Sequence, residues 1–202
     1  MEKTKKFDVK KVVKIAIFAA LSIVLYQFKF SLPFFPEFLK IQFSALPLVI
    51  IGYALGPTAG IIALLIKFLI CLPATKTFGV GDVADLIITG VYILTTSLIY
   101  MRNKTKKNAA VSLVIGFASW VVVAFLANYL ILVPAYVWLV IPSGAEGFVA
   151  MCSIIPNISL DNYQLYYAVF AALPFNCLIA FVVSLVTFFV YKRVSKILEK
   201  YE

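Results

Sequence analysis

The sequence predicts an all-α membrane protein of six transmembrane helices, with both termini cytoplasmic and long ordered outer loops. Three observations carry that prediction. The 202 residues are 63% hydrophobic, with a mean hydropathy of +1.03 and only 13% charged residues, far from the mix of a soluble domain. The apolar runs cover about 120 positions, enough for six spans of about 20 residues, and leave no room for a separate soluble domain, so residues 1–202 read as one membrane-embedded unit. Fourteen of the 18 basic residues lie in three clusters. They are Lys3, Lys5, Lys6, Lys10, Lys11 and Lys14 before the first run; Arg102, Lys104, Lys106 and Lys107 in one loop; and Lys192, Arg193, Lys196 and Lys200 after the last. If all three face the cytoplasm, an even number of spans separates each pair.

Span 1 runs from about Val12 to Gln27. Its basic flank resembles a signal peptide, but no small-residue cleavage site leads into a polar mature chain, so it stays as a helix. The stretch Lys29 to Gln42 holds Pro33, Pro36 and the aromatics Phe30, Phe34, Phe35 and Phe38, and is expected to be an ordered external loop partly in the membrane interface. Span 2 covers about Phe43 to Leu55, with Gly56 and Pro57 as its terminal turn, and span 3 follows to about Leu72. An external loop, Pro73 to Val80, leads to span 4, about Gly81 to Tyr100. After the basic loop Arg102 to Asn108, span 5 is expected over Ala109 to Leu132. Pro134, Pro142, Gly144, Gly147 and Pro156 then predict a third external loop with short helical pieces, ending near Asn162. Span 6, Tyr163 to Tyr191, closes the chain, with Pro174 expected to kink it. Four spans between the first two basic clusters and two between the last two satisfy the parity rule.

Polar residues inside apolar spans are the candidates for function, because an unpaired charge in hydrocarbon costs several kcal/mol. Lys67 can either snorkel to the outer interface or enter a pocket. Asp82 can cap the amino end of span 4, whereas Asp85, one turn further in, needs a partner, and Lys67 is the obvious one. Asn128 and Asn176 can join a pocket or serve as hydrogen-bonding glue between helices. By this topology all five fall in the outer half or near it. Ala16 and Ala20 in span 1 share one helix face and permit close approach of another helix, as ordinary internal packing also requires.

Cys71, Cys152 and Cys177 have no metal-ligand spacing and read as buried packing residues. Histidine is absent, which removes the usual general base and the usual metal ligand. A membrane enzyme acting on lipid or isoprenoid substrates would have to rely on Asp82, Asp85 and Glu146, and no metal-binding acidic pair supports it. The basic residues follow the membrane topology, so no nucleic-acid partner is expected.

The run Phe28–Pro47, FKFSLPFFPEFLKIQFSALP, followed by Tyr53–Gly60, YALGPTAG, resembles the membrane-embedded substrate-binding S components of energy-coupling factor (ECF) vitamin transporters, the riboflavin-specific branch in particular. Leu65–Lys67, Gly81–Asp85, Asn128–Tyr129, Pro174–Asn176 and Val183–Arg193 extend the resemblance over nearly the whole chain in the right order. It implies a non-enzymatic six-helix subunit of a bacterial-type cell membrane, capturing riboflavin or a related flavin from outside; a different vitamin or precursor is the alternative. No resident cofactor is implied, since the vitamin is cargo. The partners implied are a transmembrane coupling subunit, docked on Ala16 and Ala20, and two ATPase subunits. ATP use belongs to them, for this chain has no phosphate-binding GxxxxGK[ST] loop.

The ligand-binding residues so assigned are Phe35, Gln42, Phe43, Lys67, Asp85, Asn128 and Asn176, with the aromatic first loop suited to a flat heteroaromatic ring. The riboflavin branch usually carries aspartate-phenylalanine-serine-aspartate where this chain has Gln42, Phe43, Ser44 and Ala45. It also carries asparagine at Phe68 and Asp85, and lysine at Ile179. Those changes bear on ligand choice, because unmatched buried polar groups dominate discrimination.

Overall fold

The computed structural model describes residues 9–75 and 77–200. Lys3, Lys5 and Lys6 of the first basic cluster lie outside the described residues. Helix α1, Val9–Gln27, buries Ile15, Phe18, Ala19, Ser22 and Tyr26, a helical stripe, and exposes Val13, Ile17, Leu21 and Val24 on the other side. The proline-rich stretch that follows is, as expected, not helical. Its ends pair as a small antiparallel hairpin, β1 (Phe30–Ser31) with β2 (Lys40–Ile41), placing Phe30 opposite Ile41.

Helices α2 (Ala45–Leu55) and α3 (Pro57–Cys71) share one residue as a joint. Gly56 takes φ +96°, which favours glycine, ends α2 with its N–H on the Gly52 carbonyl, and hands over to Pro57 at the first position of α3. A 3-10 turn, Leu72–Ala74, extends α3, and α4 (Val80–Arg102) follows behind Gly79. Asp82 lies in the first turn of α4 but does not cap it: the helix starts without a side-chain cap, and the Asp82 carboxylate accepts from the Tyr26 hydroxyl instead.

The largest departure from the sequence reading is α5. It starts at Lys106, three residues early, where Thr105 caps it by accepting from the Asn108 N–H at 3.1 Å. It then continues through Pro134 to Val140 instead of stopping at Leu132. A π-helical turn, Asn128–Leu132, comes just before the proline, and a second, Tyr136–Val140, just after it. A proline has no N–H and crowds the carbonyl four residues back; a wider turn ahead of it relieves both problems without ending the helix. The same device recurs at Pro174, where the π-turn Ala168–Ala172 interrupts α7, residues 163–200, ahead of the proline. Between them lies the short helix α6, Gly144–Met151.

The helices form an all-α membrane protein. Among the described residues, four are long and apolar enough to cross a bilayer: Pro57–Ala74, Val80–Arg102, Lys106–Val140 and Tyr163–Val194. Helix α1 has 19 residues but carries Lys10, Lys11 and Lys14, and α2 has only 11, about 16 Å of rise. Helix α4 packs between α3 and α5, α7 lies against α5 and α2, and α1 covers α2 and α3. Close approach is permitted by missing side chains. A Cβ on Gly60 would meet Ile93 Cγ2 at 2.6 Å, and one on Gly116 would collide with Thr96 and Tyr92. Cys71 and Cys152 are buried and Cys177 half-buried, all as free thiols.

Candidate functional site

A cavity of about 490 Å³ opens at the end of the bundle where the hairpin and the long loops gather. Its walls come from the last turn of α1, the β2–α2 junction, the first two turns of α4, the π-turn region of α5, and the middle of α7. Two kinds of wall face each other across it.

One wall is charged and internally paired. The Lys67 ammonium, 2% exposed, does not snorkel; it donates to Asp85 Oδ2. The other Asp85 oxygen accepts from Thr89 Oγ1 at 3.2 Å and Gln42 Nε2 at 3.4 Å, and the Gln42 carbonyl accepts from Ser44 Oγ at 3.4 Å. This chain of bonds ties the β2–α2 junction to α3 and α4. Beside it, Tyr26 donates to Asp82, and its ring receives two cations: Lys29 Nζ at 3.2 Å and Lys67 Nζ at 4.6 Å from the centroid. Partial burial pushes the Lys29 ammonium below the usual lysine value, while Asp82 pulls it the other way. Two lysines and two aspartates thus meet around one ring.

The other wall is aromatic, with amide tips. Trp120 of α5 and Tyr167 and Phe175 of α7 line it. Phe38, from the hairpin loop, sets its ring 5.6 to 5.8 Å from those of Tyr136, Phe148 and Tyr167. Asn128 and Asn176 are buried in the same wall. Such a surface suits a flat, largely apolar ring whose edge carries a few hydrogen-bonding atoms.

Of the residues nominated from sequence, Gln42, Asp85, Asn128 and Asn176 line the cavity, and Lys67 stands directly behind Asp85. Phe35 and Phe43 do not reach it. Phe35 packs edge-on against Phe175 with centroids 5.3 Å apart, and Phe43 packs against Phe30 at 6.4 Å. Phe38 takes the place assigned to them, while Phe34, 79% exposed, points away. Sequence reasoning missed Tyr26, Trp120, Tyr136 and Tyr167 as wall residues. The available signal was a polar-tipped aromatic deep in an apolar run, which Trp120 satisfies; Tyr167, only three residues after Gln164, lies near the start of one. Ala16 and Ala20 lie on the exposed side of α1, away from the bundle.

Residues 10–191 match the family described as ECF transporter, substrate-specific component. The chain belongs to that family. It is 29% identical over 196 residues to the riboflavin transporter FmnP of Bacillus subtilis, covering 95% of each chain. It is 28% identical over 192 residues to the riboflavin transporter RibU of Staphylococcus aureus, covering 95% of this chain and 93% of the relative. A solved structure, described as the S component of a bacterial ECF transporter, superimposes with a TM-score of 0.71 at 26% identity, over 94% of this chain and 97% of that one. The chain is therefore a substrate-specific component of a transporter, and the membrane-enzyme alternative falls with that assignment.

Proposed function

We propose that this S component captures riboflavin, or a close flavin relative, at the outer face of a bacterial plasma membrane, and passes it inward through a coupling subunit and two ATPase subunits. The observation that carries the ligand is the cavity itself: about 490 Å³, lined by Trp120, Tyr136, Tyr167 and Phe175, with two asparagines at their side. A tricyclic ring fits that volume and those faces. The riboflavin transporters among its relatives support the same choice.

In this reading six helices, α1 to α5 and α7, cross the bilayer, with both termini and the exposed residues Arg102, Lys104, Lys106 and Lys107 on the cytoplasmic side. Helix α2 is short because it begins at the cavity, where Ser44 and Ala45 are part of the wall. Irregular backbone is tolerated at membrane depth where it lines such a space. Gln42, Lys67 and Asp85 hold that wall in place, Asn128 and Asn176 contact the ligand, and Ala16 and Ala20 meet the coupling subunit.

Detergent-purified protein titrated with riboflavin should quench the flavin fluorescence with one-to-one stoichiometry, and no quenching at micromolar flavin would overturn the reading. Replacing Ala16 by tryptophan should abolish pull-down of the coupling subunit while riboflavin still binds; loss of both would place Ala16 in the fold and not in the interface. One observation favours a second reading, a different vitamin: Ile179 lies on the cavity wall where the riboflavin branch carries lysine. Mass spectrometry of the small molecule released from the purified protein separates the two.

A further inference from the structure

Helices α5 and α7 carry the same arrangement in opposite directions. On α5, Asn128 donates its amide N–H to the Ala124 carbonyl at 2.8 Å; on α7, Asn176 donates to the Ala172 carbonyl, also at 2.8 Å. Each amide oxygen then accepts from an aromatic residue of the other helix. Trp120 Nε1 of α5 donates to Asn176 Oδ1 at 3.1 Å, and the Tyr167 hydroxyl of α7 donates to Asn128 Oδ1 at 3.3 Å. Aromatic residue and asparagine are eight positions apart on α5 and nine on α7. The π-turn Ala168–Ala172 sits inside the longer interval, and the extra residue it takes up restores the angular separation of eight.

The donor and acceptor inventory decides which way each amide faces. An indole N–H only donates and a backbone carbonyl only accepts, so Asn176 can satisfy Trp120 and Ala172 together in one orientation alone. For Asn128, the Ala124 carbonyl claims the nitrogen, and the oxygen is left for Tyr167. An amide has two N–H donors and two carbonyl lone pairs, and each asparagine uses one of each in these bonds. One donor and one acceptor lone pair remain on each, in the wall of the cavity.

We infer that Trp120 and Tyr167 are positioning residues for ligand recognition: by fixing the amides of Asn176 and Asn128 across the α5–α7 seam, they leave each asparagine one N–H and one lone pair for a flat heterocycle bearing a donor beside an acceptor, as in a lactam or imide edge. This rests on the flavin reading above, since an isoalloxazine ring presents such an edge. Neither aromatic residue depends on its polar tip for its place. Trp120 is held edge-on by Tyr92 at 5.0 Å, and Tyr167 lies against Phe38 and Phe148, so phenylalanine at either position keeps most of the packing.

The test is a pair of double-mutant cycles on the purified protein, read by riboflavin fluorescence titration. Trp120→Phe alone should weaken binding about tenfold, and by much less once Asn176 is alanine, when only direct contact of the Trp120 ring with the flavin is lost. Tyr167→Phe, which removes a single oxygen, should behave likewise with Asn128→Ala. Trp120→Phe combined with Asn128→Ala should instead multiply the two losses. The visible absorption of riboflavin bound to Trp120→Phe should shift toward that of riboflavin bound to Asn176→Ala, a readout that a purely structural role would leave unchanged. Wild-type affinity in both phenylalanine variants, or an equal loss from Trp120→Phe with and without Asn176, overturns the inference and leaves the flavin reading standing. Failure of the wild type to bind riboflavin overturns both.

Discussion

The two ends of the bundle are built from the same helices and the same kinds of residue, yet one encloses space and the other excludes it. At the basic end Tyr53 stacks on Tyr100 with centroids 4.3 Å apart, and Tyr191 closes edge-on against both. The Tyr53 hydroxyl meets Ser112 Oγ at 2.5 Å, and towards the middle Gly60 and Gly116 let the backbones of α2 to α5 come close. At the cavity end Tyr136 and Tyr167 gather around Phe38. Tyr26 binds Asp82, Tyr167 binds Asn128, and the groups so joined keep hydrogen-bonding capacity facing the cavity. Polar side chains in an apolar surrounding are mostly paired at both ends, Ser97 Oγ and Thr187 Oγ1 of the close-packed end being buried exceptions. What differs is where the unused capacity points: into the cavity at one end, into packed side chains at the other.

That contrast breaks most readily at the ion pair. Lys67→Ala leaves Asp85 without its cation in a low-dielectric wall, and should lower stability by about 3 kcal/mol, measured as thermal unfolding in detergent. Lys67→Met with Asp85→Leu should recover most of it. A cost near zero for the single change would mean that the pair does not hold the cavity wall together. Next in size, Asn128→Ala with Asn176→Ala should reduce riboflavin affinity by about 100-fold, or about 2.7 kcal/mol, in fluorescence titration; unchanged affinity would remove the amides from the site.

The other end should respond in stability and not in binding. Gly52→Ala forces a methyl onto the buried Ser97 hydroxyl, and should cost about 2 kcal/mol of stability. Smallest of all, Tyr53→Phe removes the bond to Ser112 and should cost about 1 kcal/mol, with riboflavin affinity unchanged. A binding defect in either of these last two would show that the close-packed end is coupled to the cavity.

The sequence made the helices legible because hydropathy and charge clustering are local quantities. It made Lys67 and Asp85 legible as a pair, since a lone charge on an apolar helix demands a partner. It misplaced the end of α5 because Pro134 normally stops a helix, and nothing in a one-dimensional pattern announces a π-turn. It named Phe35 and Phe43 in place of Phe38 for a related reason. In a loop held by a two-residue ladder, side-chain direction follows from which rings await it, and those belong to α5, α6 and α7, more than 90 residues further along the chain. The roles of Trp120 and Tyr167 were hidden by the same distance: each bond joins residues 56 or 39 positions apart.

The π-turns ahead of Pro134 and Pro174 carry one further consequence. A turn that absorbs a single extra residue leaves the helix axis continuous but rotates everything beyond it by about 100°. On α5 and α7 this acts as a phase change part-way along the rod, so that the stretch bearing Asn128 or Asn176 and the stretch nearer the mouth, with Tyr136 or Tyr167, can both turn toward the same cavity.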